Sequence, residues 1–184
     1  MSPAGSHRMA YHEWGDTNNP NVLLCVHGLS RAASDFMHVA RALASRYRVI
    51  CPDVVGRGQS DWLKDGKYYQ LPQYVADINA LIVQLGLSNI DYLGTSMGGL
   101  IALSLVANPA HPIRRLLLND VGVRLEPMAL ARIGDYLSMR TEFSSLEEGV
   151  AYLKRICAPF GWHSQAQWQM LCEPMLRQKN RTTH

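Results

Sequence analysis

Residues 94–98 read Gly94-Thr95-Ser96-Met97-Gly98, a serine with a glycine two places before it and another two places after. A serine hydroxyl attacks an acyl carbonyl only when it is held clear of its neighbours and the developing charge has somewhere to go. The spacing G-x-S-x-G meets the first need if a strand runs in and a helix runs out, because the serine then sits on a sharp, strained turn. Here the apolar run Ile90-Asp91-Tyr92-Leu93 leads directly in, and a helix-forming run, Gly99 to Ala107, leads directly out. Gly94 and Gly98 remove side chains that would strike adjoining backbone. The free N–H groups of the new helix face an oxyanion formed at Ser96, so Met97 is the first candidate donor.

A second donor is expected from a loop at the end of an earlier strand. His27-Gly28-Leu29 ends such a strand, and the N–H of Leu29 is the candidate, with Gly28 as the loop glycine. His27 precedes the nucleophile in the chain, and it reads as a hydrogen-bonded histidine that shapes the loop rather than as a base. The stretch Asp53-x-x-Gly56-x-Gly58-x-Ser60-Asp61 has two glycines of a dinucleotide fingerprint. The third falls on Asp61, and a loop follows instead of a helix, so a turn closing one edge of a cleft is favoured over a cofactor site. His12-Glu13 lacks the second histidine of a zincin helix, and no other spacing suits a metal. No cofactor and no metal are implied.

The elements that must position these residues alternate from near the N-terminus to about residue 125, as in an α/β sheet. Arg8–Trp14, Asn21–His27, Arg48–Val55, Asn89–Gly94 and Ile113–Val121 read as strands. Ala32–Tyr47 and Leu71–Leu85 have helical spacing, the latter with Pro72 in its first turn, where a missing N–H costs nothing. Beyond Arg124 three helical stretches are predicted, Pro127–Met139, Leu146–Cys157 and Ser164–Met175. Ser145-Leu-Glu-Glu148 carries a capping-box pattern at the start of the second.

Taken together, His27-Gly28, Asp53-x-x-Gly56-x-Gly58-x-Ser60 and Gly94-x-Ser96-x-Gly98-Gly99 resemble the α/β-hydrolase fold superfamily, in its branch with a helical cap. The order and spacing match from about Arg8 to Met175, and Leu117–Gly122 is similar to the strand that leads into the cap. Relatives often carry arginine where this chain has Val55. The resemblance implies an α/β fold, a mostly parallel sheet with helices on both faces, with a core over 1–123 and a cap segment and tail over 124–184. It implies hydrolysis of a carboxylic ester or related acyl substrate through an acyl-enzyme on Ser96. Haloalkane dehalogenase and epoxide hydrolase relatives carry aspartate at that place. An apolar pocket under the cap would draw on Met128, Leu130, Ile133, Tyr136, Leu137, Trp162 and Trp168, several of which at helical spacing also suit cap packing. The triad of this superfamily runs serine, acid, histidine, with the last two after later strands. Asp120 is a possible acid. His111, His163 and His184 read as solvated, so the chain is expected to stop before its catalytic histidine, as a C-terminally truncated member. A sheet ending on Ile113–Val121 would then expose an edge inviting self-association. The alternative is a non-catalytic truncated product or a ligand-binding module of the same fold.

Composition sets the outer limits. The chain has 184 residues, 47% apolar and 18% charged, with a net charge of +3. That is globular, and too weakly and evenly charged to point to nucleic acid or a membrane surface. The first eight residues lack the apolar core of a signal peptide, and the four cysteines show no CxxC pair. Reduced cysteines and a cytoplasmic location are the expectation, with a small acyl or ester substrate as the partner.

Overall fold

Val22-Leu-Leu-Cys-Val26 carries no polar side chain on either side of its pleat, so it needs cover on both faces. In the computed structural model, which describes residues 4–122 and 142–176, this run is β2 at the centre of a five-stranded sheet. The strand order is β1-β3-β2-β4-β5, with β1 Tyr11–Trp14, β3 Arg48–Pro52, β4 Ile90–Thr95 and β5 Ile113–Asn119. All neighbours run parallel except β1, which pairs antiparallel with β3. Among the described residues no strand pairs with the outer edge of β5. The chain divides into two units, Met1–Arg124 and Leu125–His184.

Alternation along β2 assigns the faces. Leu24 and Val26 join Ile50, Ile90 and Tyr92 against α2 (Leu71–Gln84) and α3 (Met97–Val106), through Tyr74, Ile78, Ile82 and Ile101. Cys25, Val49 and Cys51 point the other way, against Ala33, Phe36 and Ala40 from a short 3₁₀ turn (Ala33–Phe36) and α1 (Met37–Leu43). All four cysteines are buried and none is in a disulfide. Each fully buried leucine or isoleucine in these layers is worth about 1.5–3 kcal/mol. Helices therefore cover both faces of a mostly parallel sheet.

β3 ends at Pro52 rather than Val55 and β5 at Asn119 rather than Val121, and two further elements differ from expectation for local reasons. β1 starts at Tyr11 rather than Arg8, because side chains rather than a neighbouring strand take the preceding amides. Arg8 N–H donates to the Asp61 carboxylate (2.8 Å) and Ala10 N–H to Ser60 Oγ (2.8 Å). The helix expected over 32–47 begins as a 3₁₀ turn because the Ala33 N–H is held by Asp53 Oδ1 (2.8 Å).

The second unit has its own small core of Val150, Leu153, Cys157, Trp168 and Cys172, formed by α4 (Leu146–Ile156) and α5 (Gln165–Cys172). Ser145 Oγ caps α4 by accepting from Glu148 N–H (3.2 Å). The Glu148 carboxylate, however, turns to the N–H and hydroxyl of Ser144, so only half of the predicted box forms there. The complete box lies at α5, where Ser164 and Gln167 bond reciprocally. The helix expected at Pro127–Met139 lies outside the described residues.

Candidate active site

The turn from β4 into α3 puts Ser96 at φ 51°, ψ −114°, one of only two non-glycine residues with positive φ among those described. Several neighbours force this conformation. Ser96 N–H donates to Asn119 O at the end of β5 (2.8 Å), and Ser96 O accepts from Gly99 N–H (2.9 Å) and Leu100 N–H (3.2 Å). Tyr92, fully buried below, donates its hydroxyl to Gly98 O (3.2 Å). The glycines are required by space. A Cβ on Gly94 would come within 2.6 Å of the Gly98 carbonyl carbon and Gly99 N, and one on Gly98 would overlap the Val26 carbonyl of β2. The backbone thus pays strain at one residue, worth about 1–3 kcal/mol, and leaves the serine half-exposed at the carboxyl edge of the sheet.

The loop after β2 abuts this elbow. A Cβ on Gly28 would lie 3.6 Å from Ser96 Cβ. The N–H groups of Leu29 and Met97 have no hydrogen-bond partner among the described residues. His27 explains why the Leu29 N–H is left over. Its buried ring accepts from Val54 N–H at Nε2 (2.9 Å), which fixes the proton on Nδ1, and Nδ1–H donates to Gly28 O (2.7 Å). In a trans peptide the C=O and N–H point in opposite directions. Drawing the Gly28 carbonyl toward His27 therefore turns the Leu29 N–H away from it. Both ring nitrogens are committed, and neither bonds to Ser96.

Burial depresses the affinity of His27 for a second proton, and the nearby Arg57 charge acts in the same direction. As pH falls, the unfolded chain takes up this proton first. The stability carried by the neutral ring is complete above the unfolded histidine value of about 6.5 and declines below it. We predict a lower urea midpoint at pH 5.5 than at pH 7.5, and a smaller difference in His27→Gln. Equal pH dependence in the two proteins would contradict this role.

The Asp53 motif is a staple. Its carboxylate accepts from Ala33 N–H and Gln59 N–H (2.8 and 2.9 Å), and its carbonyl accepts from Ser60 Oγ–H (2.6 Å). A Cβ on Gly58, which has φ +50°, would overlap that carboxylate. This accounts for the spacing Asp53…Gly58…Ser60 without any ligand. Among the described residues no group of three His, Cys, Asp or Glu side chains is placed to hold a metal ion.

Asp120 follows Asn119, the residue paired with Thr95 beside Ser96, and is the second non-glycine residue with positive φ (55°). It is exposed, and no side-chain hydrogen bond engages it among the described residues. No described histidine hydrogen-bonds to Ser96 Oγ. His111 accepts from Ile113 N–H at the start of β5, the opposite end of that strand from Asn119. His163, in the second unit, bonds to Gly161 O and packs on Trp168. His184 lies outside the described residues, as do Met128, Leu130, Ile133, Tyr136 and Leu137. Trp168 is buried in its own unit's core, while Trp162 is 89% exposed. No described helix is long and apolar enough to cross a membrane. Sequence reading passed over Arg57 and Asn119, whose roles are hydrogen bonds to distant main chain and leave no periodic signal.

The sequence pattern of the alpha/beta hydrolase fold matches residues 21–143. The chain is 54% identical over 177 residues to the 3-hydroxybutyrate-oligomer hydrolase of Cupriavidus necator, covering 96% of this chain and 60% of that protein. It is 34% identical over 130 residues to the 2-hydroxy-6-oxo-2,4-heptadienoate hydrolase of Pseudomonas putida, covering 68% of this chain and 46% of that one. Among solved structures, an alpha/beta hydrolase from Novosphingobium aromaticivorans superposes with a TM-score of 0.80 at 36% identity, over 92% of this chain and 60% of that one. The chain thus spans less than two thirds of the length of each of these relatives.

Proposed function

The chain belongs to the alpha/beta hydrolase fold family, and on that footing we propose that it is the nucleophile-bearing part of a serine ester hydrolase. Ser96 would form an acyl-enzyme with oligomers of 3-hydroxybutyrate or esters of similar short hydroxy acids. The observation that carries the chemistry is the positive-φ serine at the strand-to-helix turn, with two unused N–H groups beside it. The substrate class rests on the 54% identity to the 3-hydroxybutyrate-oligomer hydrolase.

In this reading Ser96 Oγ attacks the ester carbonyl, and the N–H groups of Leu29 and Met97 take the oxyanion. Collapse of the tetrahedral species expels the alcohol of the next hydroxy-acid unit, and water then releases the acid and regenerates Ser96. The serine proton needs a base, and none of the described histidines is bonded to Ser96 Oγ. Asp120, exposed beside the elbow, is the acid we assign to orient that base. Base assistance is typically worth roughly 10²–10⁴-fold, so the described residues by themselves support only slow acylation. The unpartnered Ser96 hydroxyl also favours a second reading, a ligand-binding protein that keeps the fold without turnover.

Two assays separate the readings. The purified chain is treated with a fluorophosphonate and digested, and the 3-hydroxybutyrate dimer is incubated with excess protein. A label on the Ser96 peptide together with slow release of monomer is expected. Dimer binding with neither label nor monomer would favour the binding protein and remove the hydrolase.

A further inference from the structure

The N–H of Leu29 sits on a loop, and a donor on a loop serves an oxyanion only if the loop does not swing. Both carbonyls flanking this residue are held. Gly28 O is taken by His27 Nδ1–H (2.7 Å) and Arg31 N–H (3.1 Å), within the loop's own strand and turn. Leu29 O is taken by the Arg57 Nε–H (2.8 Å), which comes from the turn after β3. The same guanidinium donates through Nη1 to Val55 O (2.7 Å) and to the Tyr74 hydroxyl (3.1 Å). It also lies over the Tyr74 and Tyr69 rings, 5.0 and 5.7 Å from their centroids.

This is an unusual use of an arginine. Among the described residues no carboxylate pairs with the half-buried guanidinium, whose acceptors are two main-chain carbonyls and a phenol. A planar fork with donors at fixed angles, wedged against two rings, has little freedom to move and can hold two backbone segments at constant separation. We infer that Arg57 is a positioning residue for the oxyanion site, a bracket that ties the loop after β2 to the turn after β3 and so fixes where the Leu29 N–H points. The inference rests on the proposed role of Leu29. Arg57 has no recorded contact with Ser96 and acts through the loop. Its charge also disfavours a proton on Nε2 of His27, which keeps that nitrogen free to accept from Val54 N–H.

The test uses the full chain with Arg57→Ala and Arg57→Lys. Lysine keeps the charge but lacks the fork, so a bracket is lost in both variants while a purely electrostatic effect would survive in the second. In ¹⁵N relaxation, the Leu29 amide of the parent should be as ordered as Leu24, with an order parameter of about 0.85, and should fall below about 0.6 in both variants. The Leu24 amide, in the sheet core, should not change, which separates local loosening from misfolding. The limiting rate of fluorophosphonate labelling at Ser96 should fall about 10–100-fold, with the half-saturating concentration unchanged. A Leu29 amide that stays ordered in Arg57→Lys overturns the inference, as does labelling of that variant at the parental rate. A parent chain that takes no label speaks against Ser96 itself, an outcome distinct from parent and variants labelling alike.

Discussion

Ser96→Gly abolishes fluorophosphonate labelling and at the same time makes the protein harder to unfold. The first effect removes the hydroxyl. The second follows from φ 51°, ψ −114° at this position, where a Cβ costs about 1–3 kcal/mol and glycine costs little. Glycine also frees the unfolded chain, by about 0.5–1 kcal/mol, so a net gain of about 1 kcal/mol is expected. Ser96→Ala is the partner experiment. It loses the label equally but keeps the Cβ, so its stability should stay near the parent's. Urea unfolding of the three proteins, alongside labelling, reads both effects. Label retained in either variant would end the case for Ser96. Equal stability of the Ala and Gly variants would mean that the turn holds no strain.

Gly98→Val should destabilise the fold by about 3 kcal/mol or more, because the new Cβ lands on backbone rather than on a side chain that can swing aside. It would overlap Val26 O and come within 3.0 Å of His27 O. Neither can retreat. Val26 lies in the central strand, and the His27 carbonyl begins the loop that Arg57 and the His27 ring hold in place. Relief would require α3 to lift from β2, opening the layer that contains Ile101, Leu24 and Ile50. Gly66→Val is the control, since nothing lies within 4 Å of a Cβ there. If the denaturation midpoint of Gly98→Val matches that of Gly66→Val, the close approach of α3 to β2 is wrong.

The sheet and its order of elements were readable in the sequence because burial writes itself into periodicity. β2, β3 and β4 are apolar runs, α2 begins where Pro72 permits, and G-x-S-x-G marks a turn whose neighbours can be inspected on either side. What could not be read was the pairing of side chains with distant main chain. Nothing in Arg8-Met9-Ala10 announces that Ser60 and Asp61 will take its amides and shorten β1. Ser145-Leu-Glu-Glu148 has the letters of a capping box, but the adjacent Ser144 competes for the carboxylate. Ser164 and Gln167 form the complete box with the weaker letter, glutamine, at its third helical position. The positive φ of Asp120 was equally hidden, because aspartate tolerates that region and its presence depends on how β5 leaves the sheet.

The bond from Ser96 N–H to Asn119 O carries a consequence in time as well as in space. That bond exists only when β5 lies on β4, and β4 in turn pairs with β2, Val22 against Ile90 across most of the first unit. Contacts of such long sequence separation form slowly, since their loop entropy is spent before they repay it. Until they form, Ser96 is an ordinary serine in a flexible chain, with no strained backbone and no donors beside it. On the role proposed for Ser96, the reactivity of its hydroxyl reports the assembly of three strands, and labelling during refolding is expected only once all three have paired.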